Sequence, residues 1–152
     1  MDDAATCPSL RLATSDEASA LKDLEKAANL VALAHVFPAD QYPYPDADVL
    51  ARWRDVLADP GTTTLVGEDE QGLTCFVAFD ALRLRHLGVR PDLWGSGLAA
   101  VAFEASTATR LWCLEANHRA RRFYARHGWQ ATGVSRTSEF PPFPVEVEYH
   151  RA

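Results

Sequence analysis

"HLGVRPDLWGSGLAAVAFEA", residues 86–105, is the stretch whose reading decides the fold. An apolar run stops at Pro91, passes through Gly95 and Gly97, and resumes as an alanine-rich segment. Strand, proline-containing turn, Gly-Ser-Gly and helix in that order make an anion site. The first N–H groups of a helix have no intrahelical acceptor, and the helix dipole favours negative charge there. Glycine lets an anion approach the backbone with no Cβ in the way. A tight strand-to-helix connection without a ligand is the plainer alternative. No Gly-Lys-Ser/Thr follows, so this is not a P-loop, and the dinucleotide GxGxxG spacing is missing too.

Upstream, "LRLRHLGVR" (82–90) alternates with period two and then slips. Leu82 and Leu84 share one parity, Arg83 and Arg85 the other, and the next apolar positions are Leu87 and Val89. One slip in a period-two pattern predicts a β-bulge near Arg85–His86, because an extra residue resets which face each side chain meets. Burial of both faces would excuse the slip as well.

The rest of the chain supplies a mixed order of elements. "LRLAT" (10–14) reads as a short strand, and Thr14 with Glu17 forms a capping-box pattern before a helix over about 16–34. "FPADQYPYPDAD" (37–48) is an ordered loop, "DADVLARWRDVLADPG" (46–61) a second helix closed by Pro60 and Gly61, and "TTTLVGEDEQGLTCFVAFDA" (62–81) a hairpin turning at "EDEQG". "TRLWCLEAN" (109–117) is a buried strand. "NHRARRFYARHG" (117–128) is a helix with Asn117 at its N-cap, Gly128 at C′, and Ala120, Phe123, Tyr124 and His127 on one face. "WQATGVSR" and "VEVEYHR" close the chain as strands. The order β-α-α-β-β-β-α-β-α-β-β predicts an α/β fold of the α+β type with a largely antiparallel sheet.

At 152 residues the chain suits a single domain, 1–152. Its 47% apolar and 24% charged residues are ordinary for a globular protein, and no apolar run approaches the ~20 residues of a membrane span. "MDDAATCPSL" lacks a basic-then-apolar signal pattern, which makes a cytoplasmic location the expectation. A net charge of −6 argues against nucleic-acid binding through phosphate attraction. Cys7, Cys75 and Cys113 show no metal-ligand spacing and read as idle thiols, with neither disulfide nor metal expected.

Two segments in sequence order carry a resemblance. Trp94-Gly95-Ser96-Gly97-Leu98-Ala99 is similar to the phosphate motif Gln/Arg-x-x-Gly-x-Gly/Ala of the GNAT superfamily of N-acetyltransferases. Asn117, Ala120, Phe123, Tyr124, Gly128 and Trp129 resemble that family's second signature, Asn-x-x-Ala-x-x-Phe-Tyr-x-x-x-Gly-Phe. The chain departs from the pattern in two places. Trp94 stands where Gln or Arg is usual, and only about ten residues separate Ala99 from the strand at Thr109.

The resemblance implies a single GNAT-like domain: a mixed, mostly antiparallel central sheet with helices on both faces and a splayed strand pair forming a CoA cleft. It implies acetyl-CoA as co-substrate, no metal, and direct attack of a primary amine on the thioester in a ternary complex. The pantetheine arm would meet the strand edge at Leu87, Gly88 and Val89, the diphosphate would lie on Trp94–Ala99, and Asn117, Arg119 and Arg122 would complete the cofactor site. Arg121 and Arg126 are further candidates for the CoA phosphates, with a solvated helix face as the alternative. Tyr124 would protonate the departing thiolate, or else is a core aromatic. His86 is the first candidate base, with a surface-facing strand histidine as its alternative; Glu115 is the second, with an ion pair to a nearby Arg as its alternative.

The acceptor, an amine-bearing small molecule or peptide N-terminus, would sit near "HVFPADQYPYPDAD" and "SEFPPFPVEVEY". There Phe37, Tyr42, Tyr44, Phe140 and Phe143, with the acids Glu139, Glu146 and Asp46, would suit a cationic, partly apolar amine. Neither nucleic acid nor membrane is an expected partner, and homodimerisation is left open. A non-catalytic acyl-CoA-binding or regulatory module would keep the same glycines and Asn117, and a purely structural domain would bind no CoA at all.

Overall fold

The structure is a computed structural model that describes residues 9–151; Cys7 lies outside the described residues. Its elements run β1 (Arg11–Leu12), α1 (Ala18–Ala32), α2 (Asp46–Ala58), β2 (Thr63–Asp69), β3 (Gly72–Phe79), β4 (Arg83–Val89), α3 (Leu98–Glu104), β5 (Arg110–Leu114), α4 (His118–Arg126), β6 (Trp129–Thr137) and β7 (Val145–Arg151). This is the order read from the sequence, with one 3₁₀ turn added at Pro91–Leu93. At the start of α1 the Glu17 carboxylate accepts from the Thr14 N–H (2.9 Å), the half of a capping box that holds the chain's entry into the helix. The other half differs, because the Thr14 hydroxyl turns to Asp16.

Seven strands form one sheet in the order β1-β2-β3-β4-β5-β7-β6, and β4–β5 is its parallel pair. β3 lies inside the sheet and is apolar without alternation, since both of its faces are covered. Cys75, Val77 and Phe79 enter a cluster with Leu98, Phe103, Leu111, Tyr124 and Trp129 beneath α3 and α4. Phe76 and Ala78 enter the other, with Leu21, Leu24, Val49, Trp53 and Val56 beneath α1 and α2. Helices therefore cover both faces. Trp53 is fully buried and meets Phe76 edge-on, ring centroids 5.2 Å apart.

The slip in "LRLRHLGVR" is a bulge. Ala78 faces His86 while the next β3 residue, Phe79, faces Leu84, so Arg85 is an extra residue in β4 without an opposite number. Leu84, Leu87 and Val89 consequently all meet the α3–α4 cluster. His86 and Gly88 face the α1–α2 side instead. His86 packs against Trp53 at 5.0 Å, and a Cβ on Gly88 would lie 2.5 Å from the Phe76 ring. One part of the sequence reading needs correction here. Leu82 precedes the strand and is 47% exposed, because the Asp80 carboxylate takes the N–H groups of Leu82 and Arg83 (2.9 and 2.7 Å) in the turn that starts β4.

Candidate active site

β4 and β5 begin side by side and then part. Arg83 pairs with Arg110 and Leu84 with Leu111, and there the ladder ends, although β4 continues to Val89 and β5 to Leu114. The end of pairing coincides with the bulge at Arg85, which bends β4 away and leaves its remaining edge, through Leu87, Gly88 and Val89, without a β5 partner.

Beyond Val89 the chain turns through Pro91–Leu93 into Gly95-Ser96-Gly97. Gly95 and Gly97 lie at φ +88° and +87°, left-handed positions that L side chains rarely adopt, and among the described residues no atom beyond their own chain neighbours lies within 4 Å of where their Cβ atoms would be. The turn is thus a cradle open on its outer side. Ser96 N–H donates inward to the Leu93 carbonyl (3.2 Å), and Leu98 N–H donates to the Ser96 hydroxyl (3.3 Å). The N–H of Ala99 falls in the first turn of α3, where the helix offers no acceptor. Leu98 is buried in the core and anchors the helix.

Trp94 explains how this turn is fixed without the usual Gln or Arg. Its indole N–H donates to the Val89 carbonyl (2.8 Å), tying the turn to the end of β4, and the Arg119 guanidinium lies over its ring at 4.0 Å. Asn117 caps α4, its side-chain oxygen accepting from Ala120 N–H at 3.2 Å. Arg122 is exposed and has no ion-pair partner among the described residues. Arg121 is committed internally, donating to the Tyr149 hydroxyl (2.9 Å) and the Glu115 carbonyl (3.0 Å), which removes it from the cations available to a phosphate. Arg126 is exposed.

Two cavities occupy the gap. The smaller, about 160 Å³, lies between the parted strands and is lined by His86, Leu87, Cys113, Asn117 and Tyr124 among others. The Tyr124 ring is buried against Phe103, Phe123 and Tyr149, and burial followed by the nearby Cys113 and Tyr149 raises its phenol above the ordinary tyrosine value. It holds its proton at neutral pH. Burial likewise pushes the Cys113 thiol up to about 12, so that sulfur stays a thiol.

His86 is half-buried, but its Nε2 is closed off from solvent and has no hydrogen-bond partner among the described residues. Burial, then the charges of Arg52 and Arg85, hold it well below the usual histidine range, so the imidazole is neutral. Glu115 is exposed at the end of β5 and lines neither cavity. The ion pair offered as its alternative is also absent among the described residues, because Arg121 bonds its carbonyl instead. The reason is that β5 ends at Leu114, so Glu115 lies in the turn before α4, where the inward parity of Leu111 and Cys113 no longer holds.

The larger cavity, about 770 Å³, shares His86, Arg85, Trp112, Leu114 and Glu146 with the smaller one. Its walls include Phe37, Tyr42, Tyr44, Phe140, Glu139 and Glu146 from the two proline-rich segments. Two expected members lie elsewhere. Asp46 is held by Lys26 (3.0 Å) and Lys22 (3.4 Å), outside the lining, and Phe143 is 54% exposed.

Several lining residues were not anticipated: Glu25 and Asn29 of α1, Arg52 of α2, Trp112 of β5 and Arg136 of β6. The Glu25 carboxylate takes the Trp53 indole N–H (2.8 Å) and pairs with Arg52. Arg136 pairs with Glu146 (2.8 Å) and lies over the Trp112 ring (4.3 Å). The one signal that could have found them is Trp112 itself, a large aromatic at the outward parity of a strand whose inward residues are Leu111 and Cys113. Among the described residues no group of three His, Cys, Asp or Glu side chains could hold a metal ion, and no helix is long and apolar enough to cross a membrane.

No protein-family model matches the chain, and neither does any curated protein. Solved structures do. The GCN5-related N-acetyltransferase from Rhodopseudomonas palustris is 19% identical, covers 95% of each chain and superposes with a TM-score of 0.76. PaiA N-acetyltransferase from Thermoplasma acidophilum, solved in complex with coenzyme A, is 11% identical over 92% of this chain and 96% of its own, with a TM-score of 0.62. YncA from Salmonella typhimurium, solved with its cofactor acetyl-CoA, is 14% identical over 93% and 91%, also at 0.62. Seven strands in this order, helices on both faces and a parallel pair that splays after two residue pairs give this chain the GNAT acetyltransferase fold.

Proposed function

We propose that the protein is an acetyl-CoA-dependent N-acetyltransferase acting on a primary amine. The observation that carries this reading is the gap between β4 and β5, which has an open glycine cradle at its edge and Tyr124 and His86 in its walls. Acetyl-CoA, when bound, supplies the activated acetyl group as a thioester. The residues present fit it: the free edge at Leu87–Val89 can pair with an amide-bearing arm as a peptide pairs with a sheet edge, and the N–H groups around Gly95–Ala99 suit a diphosphate. Arg119 and Arg122 add cations beside that turn, and Leu87 N–H is the donor for the carbonyl oxygen.

In the reaction, the amine nitrogen bonds to the acyl carbon and the carbon–sulfur bond breaks. His86 Nε2, neutral and dry, takes the proton that the nitrogen sheds once bonding has made it acidic. Tyr124 gives its phenolic proton to the sulfur, so one proton leaves and one arrives. Glu115, exposed and outside both cavities, has no part in this scheme.

Calorimetry with acetyl-CoA, followed by assay of CoA-thiol release across amines, tests the reading. Micromolar binding with amine-dependent thiol release is expected. A protein that binds no acetyl-CoA overturns it, and one that binds but turns over no amine is the binding module instead.

A further inference from the structure

Buried polar side-chain atoms are almost always hydrogen-bonded, so each one that is not calls for an explanation, and a ligand held in an adjoining cavity is one. Five such atoms lack a hydrogen-bond partner among the described residues. One of them, Arg83 Nη1, is 2.9 Å from the Glu148 carboxylate and is ion-paired. Thr64 Oγ1 lies away from both cavities. The remaining three, Tyr44 Oη, Arg52 Nε and His86 Nε2, all belong to side chains lining the 770 Å³ cavity. The charge of Arg52 acts on both Tyr44 and His86.

Their chemistry is asymmetric. Arg52 Nε can only donate, and Tyr44, which keeps its phenolic proton, can donate beside it. His86 Nε2, in a neutral ring, can accept. Two donors and one acceptor in the lining of one cavity match a carboxylate and an amine on a single small molecule. The cavity's carboxylates point the same way. Glu25 is occupied by Arg52 and Trp53, and Glu146 by Arg136, which leaves the exposed Glu139 as the remaining acid of the lining. The four arginines of the lining, Arg52, Arg83, Arg85 and Arg136, are each paired with a carboxylate, so what the cavity offers an anionic group is the N–H that such a pair leaves over, as at Arg52 Nε.

We infer that the acceptor is an amine that also carries a carboxylate, an amino-acid-type acceptor rather than a polycation. Its carboxylate would be received by Arg52 Nε and Tyr44 Oη, and its amine presented to His86. Trp112, Phe37, Tyr42 and Phe140 leave an apolar space for its side chain. This rests on the acetyltransferase reading of the same cavity.

The test keeps the two claims apart. Acetyl-CoA binding is measured first by calorimetry. The loaded protein is then assayed for thiol release with the twenty common L-amino acids, their α-carboxamides and spermidine. At least one free amino acid should exceed both its amide and spermidine in kcat/KM by about tenfold, the worth of one well-placed charged contact. Arg52→Lys keeps a cation for Glu25 but has no Nε–H, and Tyr44→Phe removes only the hydroxyl; each should lower the acid-to-amide ratio about threefold or more while melting temperatures hold. Should Arg52→Lys fail to fold, Tyr44→Phe decides.

Amides or spermidine serving as well as acids overturns the inference, as does an unchanged ratio in the folded variants, or acetyl-CoA binding with no amino acid bound or acetylated. Loss of acetyl-CoA binding instead overturns the acetyltransferase reading. Calorimetric preference of the unloaded protein for acids over amides then decides the acceptor class by itself.

Discussion

Two parts of one gap are built in different ways. The turn at Gly95–Ala99 is made of consecutive backbone: two glycines at positive φ, a serine folded inward and one indole N–H tying it to Val89. The larger cavity is made of side chains from α1, α2, β4, β5, β6 and two proline-rich loops, and none of these sets its character alone. The difference teaches where each kind of specificity comes from. Under the proposed function, backbone donors in the short turn would recognise what every acyl-CoA shares, whereas the converging side chains would discriminate between acceptors.

The largest effect is expected at Tyr124, in the smaller cavity between the parted strands. Tyr124→Phe removes a hydroxyl from a well-packed ring, so folding should survive while turnover falls on the order of 10²-fold, about 2.7 kcal/mol, with acetyl-CoA affinity little changed. Single-turnover kinetics checks this once an acceptor is in hand. An unaltered rate with chemistry limiting would return Tyr124 to the core cluster it shares with Phe103.

The turn itself is sharpened by Gly97→Val. The valine Cβ would meet no atom of the described residues beyond its chain neighbours, but the residue would be forced to φ +87° and would fill the open side of the cradle. Acetyl-CoA affinity should drop by about tenfold or more, some 1.4 kcal/mol. Equal calorimetric affinities in variant and parent would break the comparison at its backbone end.

His86 tests the cavity end through pH. Its folded value lies below the unfolded one, so the folded state binds fewer protons between the two, and stability is lost as pH falls below about 6.5. Chemical denaturation from pH 8 down to 5 should show that loss in the parent and less of it in His86→Gln. The kcat/KM profile should carry a limb below the ordinary histidine range, absent in His86→Gln. A limb that persists belongs to the substrate, and the site then works by positioning alone.

The smallest change concerns Trp94. Trp94→Phe keeps a ring beneath Arg119 but loses the N–H to the Val89 carbonyl, which should cost about 1 kcal/mol in stability and a few-fold in acetyl-CoA affinity. Urea unfolding and calorimetry measure both.

What could be read from the residues alone was local. Successive elements follow patterns of a few residues, and their order came out complete. A one-residue slip pointed to a bulge near Arg85–His86, and the structure decides for the bulge over burial of both faces by keeping Leu84, Leu87 and Val89 on one face. Asn117 and Gly128 bounded α4 by the same short-range logic.

The acceptor wall was not readable in this way. Aromatic and acidic residues of the proline-rich loops suggested a cationic ligand. Only the packing of α1 and α2 on the sheet brings Glu25 to Arg52 and Trp53, and only the β6–β7 pairing sets Arg136 on Glu146. Whether a carboxylate in a cavity is free or spent depends on which distant cation reaches it. Residues 25, 52, 86, 112 and 136 are strung across most of the chain, and no local pattern encodes their meeting. The tertiary structure decided the charge of that wall, because electrostatic complementarity is a property of neighbours in space.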